Sequence, residues 1–274
     1  MKDLCIICLA NEKYQRFIPM FALSVCKAYP ESAVRIYFEG KLKRRTAEAL
    51  EAVSAQGDLS IVTNHFSGYP TEGQPFKSLR WVLYDEFFEN FKYVYLGDID
   101  MFMCREAPSL VEFHLQRCAE TALPYSNVIR PDTKRLSGLQ FMITKEYFSR
   151  TAEVRAKYDL MLRSEQLRLA ERGGNEELLY QMMSESVGLP PRVSLEEFGR
   201  QRPPHGIHLG LWRQLASRNP PSHWLNRDQH ETFFQQFLDV EASPIGEEVL
   251  RRCRLPEVKR MKRAYHAYLK ANNL

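Results

Sequence analysis

The sequence predicts an α/β protein built on a parallel sheet with helices packed on its faces. Two observations carry this. Short apolar runs alternate with segments of helical period over the first hundred residues, and the last of those runs ends in two carboxylates one residue apart, Asp98-Ile99-Asp100. Leu4 to Leu9 is a buried first strand, and Tyr14 to Lys27 has the apolar recurrence of a helix. Val34 to Phe38 follows as a strand, Thr46 to Ser54 as a helix, and Leu59 to Val62 as a third strand closed by a loop with Gly68, Pro70, Gly73 and Pro75. Leu79 to Phe88 is an amphipathic helix leading into the strand that starts at Tyr93, and the β-α-β order implies crossover connections in one sheet. Beyond it, Ser109 to Glu120 predicts a helix, Leu139 to Ile143 a strand, and Glu146 to Ala170 a helical region with breaks. Gly173-Gly174 is a helix stop signal, after which Glu176 to Ser186 resumes as a helix. Pro190-Pro191 and Pro203-Pro204 bracket an irregular region before a short strand over Gly206 to Leu211. With no internal repeat or low-complexity linker, the economical division is one domain over 1–245 and a tail over 246–274.

Composition narrows the class. The 274 residues suffice for one large α/β domain, and 44% hydrophobic with 26% charged residues is ordinary for a soluble globular chain. No run of about 18 apolar residues could span a membrane, and Leu4 to Ala10 is too short for a signal-peptide core, so the expected location is cytoplasmic. The six cysteines lie scattered in apolar or helical contexts, as reduced thiols do. Cys5 and Cys8 have C-x-x-C spacing, but three positions along a strand point to opposite faces, which argues for structural thiols over a redox or zinc pair.

The net charge of +4 is concentrated at the C-terminus. Arg251, Arg252, Arg254, Lys259, Arg260, Lys262, Arg263 and Lys270 face one nearby acid, Glu257, while Val258, Met261, Tyr265, Tyr268 and Leu269 fall at helical spacing. This basic amphipathic helix either packs its apolar stripe on the domain or docks on an anionic membrane surface, which would add a peripheral station on the inner face of the membrane. No nucleic-acid-binding motif is present, and no nucleic acid partner is expected.

Asp98 and Asp100 emerge where an apolar strand ends, the place where open α/β sheets bind ligands. Two hard oxygen ligands suit Mg²⁺ or Mn²⁺, and such an ion neutralises charge on a leaving diphosphate. No glycine-rich phosphate loop follows the first strand, so a metal must take over its role.

The order of these motifs resembles the glycosyltransferases of the GT-A fold, and most closely family eight, the group containing glycogenin and bacterial lipopolysaccharide galactosyltransferases. The resemblance covers most of Leu4 to Trp212. It rests on the opening strand followed by Ala10-Asn11-Glu12-Lys13-Tyr14, the helix from Lys77 into Tyr95-Leu96-Gly97-Asp98-Ile99-Asp100, then Ser137-Gly138-Leu139-Gln140, Gly174-Asn175-Glu176-Glu177 and His205-Gly206-Ile207-His208-Leu209-Gly210. It implies a Rossmann-like nucleotide-binding domain with a mixed, mainly parallel sheet, and a Mn²⁺- or Mg²⁺-dependent enzyme. That enzyme would transfer a hexose from a UDP-sugar donor to a saccharide acceptor of the lipopolysaccharide or capsule type, with retention of configuration. It places Ala10, Asn11 and Tyr14 around the base, and either Arg80 or Lys77 on the donor sugar or diphosphate. Asp98, Ile99 and Asp100 form the metal motif, completed by a histidine, with His208 before Gly210 fitting better than His205. Ser137 and Gly138 are placed at donor or acceptor hydroxyls, and Asn175 and Glu176 near the anomeric carbon. There this chain departs from the family's usual order of an acid followed by an amide or acid, so the mechanism stays open. Two rivals follow: a sugar nucleotidyltransferase, disfavoured by the missing glycine loop, and a catalytically silent nucleotide- or saccharide-binding protein of the same fold.

Overall fold

The computed structural model describes residues 2–195, 197–198, 205–213 and 230–271. Six strands form the main sheet: β1 Leu4–Asn11, β2 Ala33–Glu39, β3 Asp58–Thr63, β4 Tyr93–Leu96, β6 Tyr125–Ser126 and β7 Gln140–Ile143. Their order is β3-β2-β1-β4-β7-β6, parallel from β3 to β4, with β7 antiparallel to both its neighbours. The sheet is therefore mixed and mainly parallel. Two further strands, β5 Met101–Met103 and β8 Gly206–His208, form a separate antiparallel pair.

β1 shows why the sheet is buried on both sides. Ile6, Cys8 and Ala10 project into one core, which also holds α1 Ile18–Ala28 and α2 Arg44–Ser54. Cys5 and Ile7 project into the other, with α3 Gly73–Val82, α5 Thr144–Arg150, α6 Ala152–Arg163 and α7 Gly174–Glu185. Period-2 alternation thus separates Cys5 from Cys8 by the thickness of the sheet. All six thiols are free and buried, and burial raises the pKa of every one of them. They are structural.

Several elements depart from the sequence reading. The helix expected over Leu79 to Phe88 runs instead over Gly73–Val82, because the chain turns extended at Leu83 (φ −55°, ψ 122°). Asp85 is held there: its carboxylate accepts from Tyr37 Oη at 2.7 Å and Arg35 Nη2 at 2.8 Å on β2, and from the Phe87 amide, which starts a 3-10 turn over Glu86–Asn90. Gly173-Gly174 starts α7 and does not end a helix, since Gly173 takes up φ +83° as its N-cap. The region over 146–170 is helical only as α5 and α6, and residues 165–170 carry no helix. The expected strand over Gly206 to Leu211 ends at His208 and continues as a 3-10 turn, Leu209–Arg213. Strands β5 and β6 were not foreseen. The helix over Ser109 to Glu120 is present as α4 Leu110–Thr121, with Ser109 and Glu112 forming a reciprocal capping box. Pro203-Pro204 lie outside the described residues.

The C-terminal segment forms α8 His230–Glu241, α9 Pro244–Cys253 and α10 Pro256–Ala271. Its apolar stripe faces inward: Val249, Cys253, Val258, Met261 and Ala264 are buried in the core beneath α1 and α2. At about 1.5–3 kcal/mol for each large aliphatic side chain removed from water, this holds the tail to the domain. Glu257, only 1% exposed, pairs with Arg16 Nη2 at 2.6 Å, and Arg252 pairs with Glu48. Arg251, Arg254, Lys259, Arg260, Arg263 and Lys270 stay on the exposed side. No described helix is long and apolar enough to cross a membrane.

Candidate nucleotide and metal site

β4 delivers the acidic pair. Gly97 extends the β1 ladder by one amide, donating to the Ile7 carbonyl at 2.9 Å, and the chain then turns through Asp98-Ile99-Asp100, closed by the Met101 amide on the Asp98 carbonyl at 3.1 Å. β5 begins directly after this turn, and its antiparallel register sets Met101 opposite His208. That register brings His208 Nε2 to 3.0 Å from Asp100 Oδ1. One ligand atom from each of Asp98, Asp100 and His208 lies within 4.8 Å of the others. Two carboxylates and an imidazole converging this closely suit Mn²⁺ or Mg²⁺, with coordination positions left for phosphate oxygens. Asp100 is 6% exposed, and Arg80 Nη1 sits 2.6 Å from Asp98 Oδ1 while its guanidinium lies 4.4 Å from the Trp81 ring centroid. Arg80 thereby occupies a place beside the metal motif; Lys77, one turn earlier on α3, lines the same cleft and is exposed.

The two candidate histidines separate cleanly. His205 is fully buried away from the acids, its Nδ1 on the Glu106 carboxylate and its Nε2 2.8 Å from His114 Nε2. His114 Nδ1 in turn meets Ser126 Oγ at 2.8 Å, and burial pushes the His114 pKa down to about 3. With both rings neutral the chain is fully paired: His205 Nδ1–H donates to Glu106, His114 Nε2–H to His205 Nε2, and Ser126 Oγ–H to His114 Nδ1.

The cleft itself has a volume of about 380 Å³. Ala10, Asn11, Tyr14, Lys77, Arg80, Asp98, Ile99, Asp100, Asn175, Glu176 and His208 all line it. Asn11 Nδ2 donates to the Thr71 carbonyl at 3.0 Å, while its buried Oδ1 has no hydrogen-bond partner among the described residues. An orphaned acceptor in a cleft calls for a donor from a ligand. Asn175 and Glu176 stand in the first turn of α7, which is tied to α3 by Trp81 Nε1 donating to the Asn175 carbonyl at 2.8 Å. Gly138 lies beside them: a Cβ there would come within 3.1 Å of Arg80 Nη2, 3.7 Å of Glu176 Oε1 and 3.8 Å of Asp98 Oδ2.

Two expected residues stand apart. Ser137 is 1% exposed and its hydroxyl accepts from the Leu139 amide, so it does not line the cleft. Gly210 contributes its amide to the Asp100 carbonyl at 3.3 Å, which fastens the turn after β8 to the acidic loop. Sequence reasoning missed Arg130, whose guanidinium grips both Glu176 oxygens at 2.6 and 2.5 Å, and the lining residues Lys13, Glu72 and Phe76. Arg130 sits in an irregular loop where periodicity carries no signal.

No protein-family model and no curated protein matches the chain. Solved structures do. The glycosyltransferase GlyE of Streptococcus pneumoniae TIGR4 superposes with a TM-score of 0.52 at 11% identity, covering 92% of this chain and 63% of GlyE. The bifunctional glycosyltransferase WbbM superposes at 0.50 with 12% identity, covering 92% of this chain and 52% of WbbM. The chain thus spans a little over half the length of these two proteins. The galactosyltransferase LgtC aligns over 91% of this chain and 99% of its own at 14% identity, with a TM-score of 0.47 that adds no weight. The mixed six-stranded sheet flanked by helices, with the acidic turn at the carboxyl end of β4, is the GT-A fold of these glycosyltransferases.

Proposed function

We propose that the protein is a metal-dependent glycosyltransferase that moves a hexose from a UDP-sugar to a saccharide hydroxyl, with retention of configuration and an acceptor of the lipopolysaccharide or capsule type. The observation that carries this reading is the convergence of Asp98, Asp100 and His208 in the same cleft as the unsatisfied Asn11 Oδ1. These three side chains would hold Mn²⁺ or Mg²⁺, which when bound stabilises negative charge on the departing diphosphate. Asn11 Oδ1 accepts the ring N–H of uracil, and Tyr14 with Ala10 gives the base an apolar wall. Arg80 adds a guanidinium beside the diphosphate, with Lys77 at the cleft edge. Gly138 leaves the space in which the sugar approaches Arg80 and Glu176.

Glu176 is the group nearest to an anomeric role, and Arg130 orients it through a bidentate grip. A carboxylate so held stabilises positive charge developing at the anomeric carbon through space, which suits electrostatic support better than nucleophilic attack. The same bidentate grip favours a second reading, a silent nucleotide-binding protein in which Glu176 serves structure alone. Incubation with UDP-hexoses and saccharides in Mn²⁺ separates the two: UDP release coupled to a new glycoside of unchanged anomeric configuration supports the enzyme, and binding without release supports the silent protein.

The exposed basic side of α9 and α10 is proposed to dock electrostatically on anionic membranes at the cytoplasmic face, since the apolar stripe is turned inward. Replacing Lys259 and Arg263 by Glu should reduce sedimentation with vesicles containing anionic lipid, and unchanged sedimentation would contradict this docking.

A further inference from the structure

A second cleft, of about 930 Å³, opens beside the first and shares Lys77, Asn175 and Glu176 with it, but none of the metal-binding side chains. Five cations face it, Lys77, Arg130, Lys134, Arg135 and Arg172, against the carboxylates of Glu171, Glu176 and Glu177. Arg130 and Glu176 already satisfy each other. Among the described residues, no carboxylate lies within ion-pair distance of Lys77, Lys134, Arg135 or Arg172.

These cations come from three separate stretches of chain: α3, the loop before β7, and the segment between α6 and α7. Solvated surface charges on one helix face would diverge, whereas these converge on one concavity. Arg135 is the most telling. It lies across Gly173, which takes φ +83°, a conformation that favours glycine, and whose missing Cβ leaves room for the guanidinium. The guanidinium is thereby laid against the N-terminal end of α7, which carries partial positive charge of its own. Two positive potentials held together repel each other and match an incoming anion.

Glu176 and Asn175 form the border between the two clefts, so a molecule seated in the second meets one seated in the first at the carboxylate assigned to the anomeric carbon. Resting on the glycosyl-transfer reading above, we propose that the second cleft is the acceptor site. The acceptor it takes is an anionic saccharide, bearing a phosphate or carboxylate group within reach of Lys134, Arg135 and Arg172.

The test is a ligand-observed titration of the full chain with matched pairs, maltose against maltose 6′-phosphate and lactose against 3′-sialyllactose, with inorganic phosphate as a further arm. The anionic member of each pair should bind at least about tenfold more tightly, as expected for one or two charge-assisted hydrogen bonds, and the difference should shrink with added salt. The double variant Lys134→Glu/Arg172→Glu changes two exposed side chains and should abolish the preference with the melting temperature unchanged. Equal binding of neutral and anionic sugars overturns the proposal, as does a preference that survives the double variant. Inorganic phosphate binding as tightly as the phosphorylated sugar also overturns it, by showing a simple anion site. UDP titrated in Mn²⁺ on the same protein reports separately on the donor cleft, so loss of the donor reading is distinguishable from loss of this one.

Discussion

Acidification should destabilise the protein through His114. This imidazole is 7% exposed, stacks on Phe141 with ring centroids 5.1 Å apart, and spends both ring nitrogens on Ser126 and His205. Burial lowers its pKa from 6.5 to about 3 in the folded chain. Because the folded value lies below the unfolded one, the unfolded chain takes up the proton first. Stability is therefore complete above about pH 6.5 and is lost as pH falls from there toward 3. Between about pH 7.5 and pH 5 the loss from this one group is about 2 kcal/mol, from the proton-binding difference of the two states. Glu106, through His205, is the charged group facing the chain of rings, and Arg117 on α4 adds to the depression. Urea denaturation of the wild type and of His114→Gln at both pH values isolates the term. The variant should be less stable at pH 7.5 by roughly 1–3 kcal/mol, the cost of disturbing a buried hydrogen-bonded chain, yet lose about 2 kcal/mol less than the wild type on acidification. Parallel losses in the two proteins would refute the reasoning.

Three further outcomes follow from the same geometry. Asp100→Asn should keep the melting temperature within a few degrees while lowering turnover at least about 100-fold at a fixed, sub-saturating Mn²⁺ concentration through weakened metal binding, and a rate and Mn²⁺ dependence both unchanged would remove Asp100 from the metal site. Gly206→Ala should cost roughly 1–3 kcal/mol or more, since φ is +148° and a Cβ would overlap the Phe102 carbonyl across the β5–β8 pair; it should also weaken metal binding by displacing His208. Calorimetry and metal titration of the variant check both effects. Arg130→Met should lower turnover with donor affinity intact, because it unseats Glu176 and leaves the metal motif alone; a raised KM for donor at constant turnover would place Arg130 on the nucleotide instead.

Much of the fold was legible because its signals are local. β1 reads as a continuous apolar run since helices cover both faces of the sheet, and Ser109 with Glu112 marks the start of α4. The parts that escaped depend on partners distant in the chain. β5 has three residues, too few for a period, and is defined by its pairing with β8, whose strand character at Gly206 was itself expected. Leu79 to Phe88 continues an amphipathic pattern past Leu83, and nothing local reveals that Arg35 and Tyr37 pin Asp85 and break it. Gly173-Gly174 is ambiguous in the same way, since a glycine at positive φ can close one helix or open the next. Of the candidate site, the acidic pair was legible at the end of an apolar strand, while Asn11 and Tyr14, which line the same cleft, were singled out only through the resemblance. It is the β5–β8 register that sets His208 beside Asp100, and the fold of an irregular loop that brings Arg130 to Glu176, neither of which is visible in local sequence.

The central claim is that Asp98, Asp100 and His208 bind a divalent cation that in turn holds a uridine diphosphate sugar. Isothermal titration of the full chain with UDP-, GDP-, ADP- and CMP-sugars, with and without Mn²⁺, tests it most directly. The account predicts binding of a UDP-sugar that requires Mn²⁺ and disappears in Asp100→Asn; metal-independent binding, or no binding of any nucleotide sugar, would contradict it.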